Sequence, residues 1–196
     1  MSPEMQIIAG IYKGHKISTF GSGYRPTTGI VRKSFFDIIA SKIEGSRFLD
    51  LFAGSGAVGL EALSRSAAYV CFVENNRSRA NVLRENAGKL GVDESSLEII
   101  VNDYAYALQG LMERRKTFDI IFVDPPYSTI QPGRILGEIV ASKILAPDGL
   151  LILETARKDS RKTLDVMPEE LYPLREQDHG DTALIFFRWQ EGEKAE

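Results

Sequence analysis

Short apolar runs alternate along the chain with segments of helical period. The runs "RFLDLF" (47–52), "AYVCFVE" (68–74), "LEIIV" (97–101), "FDIIFV" (118–123) and "GLLILET" (149–155) are rich in β-branched, aromatic and other apolar residues. Runs of this kind are strands covered on both faces. Between the second and third, Ala80, Leu83, Ala87 and Leu90 recur at helical spacing, and Gly91 stands where a left-handed C-cap belongs. Strand, helix, strand, repeated, predicts an α/β fold with a parallel sheet and helices on both faces. Two more strands, about 171–176 and "TALIFFRWQ" (182–190), are separated only by "DHGD", which predicts a hairpin and an antiparallel edge. At the N-terminus, "IIAGIYKGHKIST" and the Gly-rich "FGSGYRPTT" read as a small β extension (1–28). An amphipathic helix from about Ile30 to Ile43, with Thr28 as its N-cap, opens the main domain (29–190), and "EGEKAE" (191–196) forms a frayed tail.

Composition narrows the class. With 196 residues, 43% of them hydrophobic, the chain can bury one full core plus a small appendage. No apolar run approaches the roughly 20 residues of a membrane span, and "MSPEMQIIAG" lacks the build of a secretory signal, so a cytoplasmic protein is expected. One cysteine, Cys71, excludes an internal disulfide and a Cys-cluster zinc site, and His15 and His179 lie far apart in sequence; no metal is expected. Cys71 falls mid-strand between Val70 and Phe72, as a small core residue would, so covalent catalysis through cysteine is not available. The net charge is −3, but residues 1–47 hold seven basic residues against three acids, a net +4 that leaves −7 for the rest. That asymmetry suggests a basic patch on a neutral or acidic body.

The first chemical signal is "LDLFAGSGAVGLEAL". Gly54, Gly56 and Gly59 form G-x-G-x-x-G directly after a predicted strand and at the mouth of a helix. Glu74 ends the next strand, 20 residues after Gly54, where a carboxylate can accept hydrogen bonds from two ribose hydroxyls. An adenosine-containing ligand follows, and NAD and S-adenosylmethionine both fit this geometry. Asp50, just ahead of the turn, would oppose a pyrophosphate and suits a ligand with a cationic sulfonium and an α-amino group. Asp103, after the third strand, could accept from an adenine amino group or simply cap the strand end. The fourth strand stops at "DPPY" (124–127), where an open α/β sheet would bring it opposite the glycine turn.

In this order, "DLFAGSGAVGLEALSR", "FVEN", "ND" and "DPPY" resemble a class I S-adenosylmethionine-dependent methyltransferase. With "IIAGIYKGHKI" and "RPTTGIVRKSFFDII" upstream, the resemblance narrows to the bacterial small-subunit ribosomal RNA guanine-N2 methyltransferases of the D type, from Gln6 to about Trp189. It implies a Rossmann-like, seven-stranded, mostly parallel sheet with its last strand reversed, an N-terminal β-hairpin extension, and methylation of one guanine of 16S rRNA in the assembling small subunit, with ribosomal proteins as neighbours. The cofactor-binding set is then Asp50, Phe52, Gly54, Ser55, Gly56, Glu74, Asn75 and Asp103. Asp124 and the Pro125 carbonyl would accept the two N–H bonds of the guanine amino group, Pro126 would help to hold that carbonyl rigidly, and Tyr127 would stack the extruded base. Lys13, Lys16, Arg25, Thr27, Thr28 and Arg32 are the candidate RNA contacts. The chain departs from the family's pattern at Gly29 and Ile30, where an acidic or polar residue and an arginine are expected, and at Lys33, where glutamate is expected. Adenine-N6 methylation of DNA or RNA is the competing enzymatic reading; an NAD-dependent oxidoreductase and a non-catalytic nucleic-acid-binding module are the readings from other classes.

Overall fold

A computed structural model describes residues 4–20, 29–126 and 131–190. Arg25, Thr27, Thr28, Tyr127 and the 191–196 tail lie outside the described residues. The elements follow the hydrophobic pattern closely. A two-stranded hairpin, β1 (Glu4–Gln6) and β2 (Lys16–Ser18), precedes helix α1 (Gly29–Ile38) and the single turn α2 (Ala40–Ile43). The alternating body runs β3 (Arg47–Leu51), α3 (Ala57–Ser64), β4 (Tyr69–Val73), α4 (Arg77–Leu90), β5 (Leu97–Ile100), α5 (Tyr104–Glu113), β6 (Phe118–Val123), α6 (Pro132–Ser142) and β7 (Leu145–Ala156). Short α7 (Ser160–Asp165) and the hairpin β8 (Leu171–His179) and β9 (Thr182–Trp189) complete it.

The seven-stranded sheet has the order β5-β4-β3-β6-β7-β9-β8. Strands β5 to β7 are parallel, whereas β9 enters antiparallel beside β7 and β8 forms the edge. Both faces are covered, which is why the central strands show no polar alternation. On one face Phe35 of α1 packs on Phe122 with ring centroids 5.0 Å apart, in a cluster with Phe36, Phe48 and Phe72. On the other, Leu108 and Leu111 of α5 and Ile135, Leu136 and Ile139 of α6 cover Leu49, Ile121 and Leu151. Cys71 is buried in this second layer, and burial pushes its thiol up to about 12, so it stays protonated and inert.

Two elements differ from expectation. The helix expected over 30–43 breaks at Ile39, and the break lets Ile39 and Ile43 both turn into the core. Strand β7 starts at Leu145, not Gly149: Phe118 pairs with Leu145 and Ile120 with Leu150, so an irregularity in the ladder absorbs Pro147 and Gly149, residues that read locally as loop.

Helix α3 is buried along its whole length, because the sheet lies beneath it and the N-terminal hairpin covers it from outside. A helix apolar nearly all round needs such cover. In α4, Asn76 caps the first turn by accepting from Arg79 N, and Gly91, at φ 66°, closes the last by donating to Ala87 O, as its spacing predicts.

Candidate functional site

Strand β3 lies between β4 and β6, where the chain's direction of travel across the sheet reverses. Such a switch point opens a crevice outside the C-terminal strand ends. Register fixes what lines it. Leu51 pairs with Val73 on one side and Val123 on the other, so Phe52, Glu74 and Asp124 begin three adjacent strand exits, each about 4.8 Å from the next.

The turn after β3 is built around backbone that only some residues tolerate. Phe52 adopts φ 77°, rare for a bulky residue. Its ring rests on Tyr104 with centroids 5.2 Å apart, and its N–H and that of Ala53 both donate to Val73 O. Gly56, at φ 81°, starts α3, and a side chain there would meet Leu83 of α4. Gly59 lets α3 approach the sheet: an added Cβ would come within 2.2 Å of the Phe72 ring. Two buried carboxylates tie this backbone down. Asp50 Oδ2 accepts from Gly59 N at 2.9 Å, and Glu74 accepts from Gly54 N at 2.8 Å through Oε2 and from Asn76 N at 2.8 Å through Oε1. Burial pushes the Asp50 carboxyl up to about 7, the Gly59 N–H opposes that rise, and the nearby Glu74 charge adds to it. Asp50 is therefore a tether beneath the turn, 2% exposed, rather than an acid on open display. Ser55 is buried, and its Oγ has no hydrogen-bond partner among the described residues.

At the end of β6, Asp124 is half-buried, Pro125 buried and Pro126 exposed. Asn75 is exposed beside Glu74. Asp103 is exposed and caps α5 by accepting from Ala105 N at 2.9 Å.

The three described candidate RNA contacts, Lys13, Lys16 and Arg32, have different surroundings. Lys16 pairs with Glu4 across the hairpin at 2.9 Å. Arg32 is only 2% exposed; its Nη2 donates to Gln6 O at 2.6 Å, burial pulls its pKa down, and its Nε and Nη1 find no partner among the described residues. A guanidinium so enclosed ties the hairpin to α1. Lys13 is exposed, but its turn packs on the C-terminal end of α3, where Ile11 N and Tyr12 N donate to Ser64 O and Oγ. By helix rise that is roughly 12 Å from the glycine turn.

Three residues that the sequence did not single out attach the hairpin. Glu61, fully buried in α3, accepts from Ile8 N at 2.7 Å, Ala9 N at 2.9 Å and Arg65 Nε at 2.8 Å. Ser64 Oγ donates to Ala9 O. Asn86, fully buried in α4, pairs with Ser18 as a strand would, accepting from its N–H and donating to its carbonyl, both at 2.9 Å, and donates also to Ser55 O at 2.9 Å. One amide thus joins the N-terminal extension to the glycine turn. The available signal was a polar residue set into each apolar helical stripe.

The strand order, the reversed β9 and the glycine turn ending the first strand of the sheet's halves define a class I methyltransferase fold. In the six-stranded dinucleotide-binding order no reversed strand is inserted. The chain belongs to the family described as "Conserved hypothetical protein 95", whose model matches residues 5–188. It is similar to ribosomal RNA small subunit methyltransferase D of Haemophilus influenzae, with 34% identity over 178 residues covering 90% of each chain. The Escherichia coli protein of the same name is 33% identical over 164 residues, covering 83% of this chain and 80% of that one. The solved structure of yhhF from Escherichia coli superposes with a TM-score of 0.82 at 28% identity, covering 96% of this chain and 99% of that chain. Among the described residues no helix is long and apolar enough to cross a membrane.

Proposed function

We propose that this protein transfers a methyl group from S-adenosylmethionine to the exocyclic N2 amino group of a guanine in small-subunit ribosomal RNA. The observation that carries this reading is the register that sets Phe52, Glu74 and Asp124 at neighbouring strand exits, so that a nucleoside held by one side of the crevice faces a base held by the other. The names of the relatives supply the rRNA substrate class.

The residues of the crevice fit the cofactor. Each carboxylate oxygen of Glu74 uses one acceptor site on backbone N–H, and its remaining lone pairs suit two ribose hydroxyls. The buried Ser55 hydroxyl, otherwise unpartnered, is a ready donor or acceptor for the ligand's polar tail. Bound there, the sulfonium supplies an electrophilic methyl group.

What the chain's own residues must do is prepare the amine. A guanine amino group is a poor nucleophile because its lone pair is delocalised into the ring. The Asp124 carboxylate and Pro125 carbonyl, accepting its two N–H bonds, would localise that lone pair toward the methyl group. Pro125 and Pro126 fix φ, so the carbonyl is held in place before the base arrives. Tyr127 offers a stacking face worth roughly 1–3 kcal/mol, against an unstacking cost of a few kcal/mol.

Nuclease digestion and mass spectrometry of 16S rRNA from cells with and without the gene test this directly. One N2-methylguanosine should vanish on deletion and return on complementation; a lost N6-methyladenosine, or no loss, would overturn the reading.

A further inference from the structure

The row of strand exits that begins with Phe52, Glu74 and Asp124 continues into β7. Leu51, Val73 and Val123 pair in register across β3, β4 and β6, and Val123 pairs in turn with Leu153 of β7. The next position along each strand sets Glu154 beside Asp124, about 4.8 Å away by strand spacing, on the side away from β3. Face is fixed as well as row. Along β7, Leu150 and Ile152 pack in the layer beneath α1 and α3, whereas Leu151 and Leu153 pack in the layer beneath α5 and α6. Alternation therefore turns Glu154 to the α1 side, the side on which Asp50 meets α3. In β6, Phe122 and Val123 divide between the same two layers in the same order, just ahead of Asp124.

Glu154 is 4% exposed, at the end of the apolar run "GLLIL". Burying a carboxylate there costs free energy that a leucine would not. Glu61 shows that such a group can serve the fold alone. What sets Glu154 apart is its place, in line with the residues assigned to the reaction.

Order across the crevice selects what it meets. With the methyl donor on the β3 side, as proposed above, an amine held at Asp124 points its lone pair toward β3 and its ring toward β7. Beside the N2 amine, guanine's edge carries N1–H. Beside the N6 amine, adenine's edge carries N1 as a bare lone pair. An ionised carboxylate only accepts, so it attracts the first edge and repels the second.

We infer that Glu154 determines base specificity: its carboxylate accepts the N1–H of the target guanine while Asp124 and the Pro125 carbonyl take the amine. This rests on the guanine-N2 reading above and names what tells that base from adenine. A carboxylate has about four acceptor sites, so it can take the base in addition to contacts within the fold.

The test compares Glu154→Gln with the unaltered protein on small-subunit rRNA carrying guanosine or 2-aminopurine riboside at the mapped target. 2-Aminopurine keeps the N2 amine but has a lone pair in place of N1–H. It also lacks O6, a loss that cancels because both proteins meet the same base. Single-turnover methyl transfer is measured on each RNA, and cofactor affinity by calorimetry. The unaltered protein should prefer guanine, and Glu154→Gln, which can donate to the bare N1, should shrink that preference roughly 10-fold or more. Cofactor affinity should hold. Equal loss on both bases marks a structural tether and overturns the proposal, as does an unchanged preference or an unaltered protein that methylates 2-aminopurine as fast as guanine. Should Glu154→Gln not fold, Glu154→Asp, which withdraws the charge by one methylene, is held to the same comparison. Absence of N2 methylation by the unaltered protein on guanine itself overturns instead the reading on which this one rests.

Discussion

The glycine turn after β3 and the N-terminal hairpin are held by the same device, a buried carboxylate accepting backbone N–H groups, yet the two are finished differently. Under the hairpin, Glu61 is fully buried and takes Ile8 N, Ala9 N and the Arg65 guanidinium. At the turn, Glu74 takes one N–H per oxygen, and the buried Ser55 hydroxyl beside it has no partner among the described residues. Polar groups that are fully engaged fix the fold; those with capacity left can still bond a ligand. Asn86 connects the two regions, since it bonds Ser18 at the end of the hairpin and Ser55 in the turn.

The comparison breaks most severely at Glu61. Glu61→Ala leaves two N–H groups and a guanidinium without their acceptor, and should lower the unfolding free energy by about 3–5 kcal/mol in denaturant titration. Asn86→Leu should cost about 2–4 kcal/mol, because the Ser18 N–H, Ser18 carbonyl and Ser55 carbonyl all lose their partner. It should also weaken cofactor binding, whereas Lys89→Ala, which removes a bond to Ser18 Oγ, should not.

A gentler change sharpens the electrostatics of the turn. In the folded protein the Asp50 carboxyl keeps its proton up to about pH 7, but in the unfolded chain it loses it near 3.8. The folded state therefore holds the extra proton between these values, and the stability Asp50 contributes is complete below the lower one and lost as pH rises through the higher. Asp50→Asn can still accept from Gly59 N, so it should flatten that decline, an effect read by comparing unfolding at about pH 5 and about pH 8. The smallest effect separates a ligand-binding hydroxyl from a structural one: Ser55→Ala should leave the unliganded protein as stable or slightly more so, and should weaken cofactor binding by roughly 0.5–1.5 kcal/mol in calorimetry.

The same contrast explains what was legible in the sequence. The glycine turn, Glu74 and the strand ends could be read because their signal is local: three glycines within six residues, and apolar runs that stop at acids. The hairpin's attachment could not, because its partners are far apart along the chain; Ile8 and Glu61 are separated by 53 positions and Ser18 and Asn86 by 68. Counting charge near the N-terminus put Arg32 and Lys16 with Lys13 in a basic patch, but three-dimensional packing buries the first and pairs the second.

The account's central claim is that the β3 and β6 strand ends divide labour, the first holding the methyl donor and the second preparing the amine. Single-turnover methyl transfer by Asp124→Ala, with cofactor affinity measured on the same preparation, tests it most directly. The account predicts a rate lower by roughly 10²-fold or more with cofactor binding intact, as expected for removal of one oriented acceptor from a reaction centre. An unaltered rate, or a loss wholly accounted for by weaker cofactor binding, would contradict it.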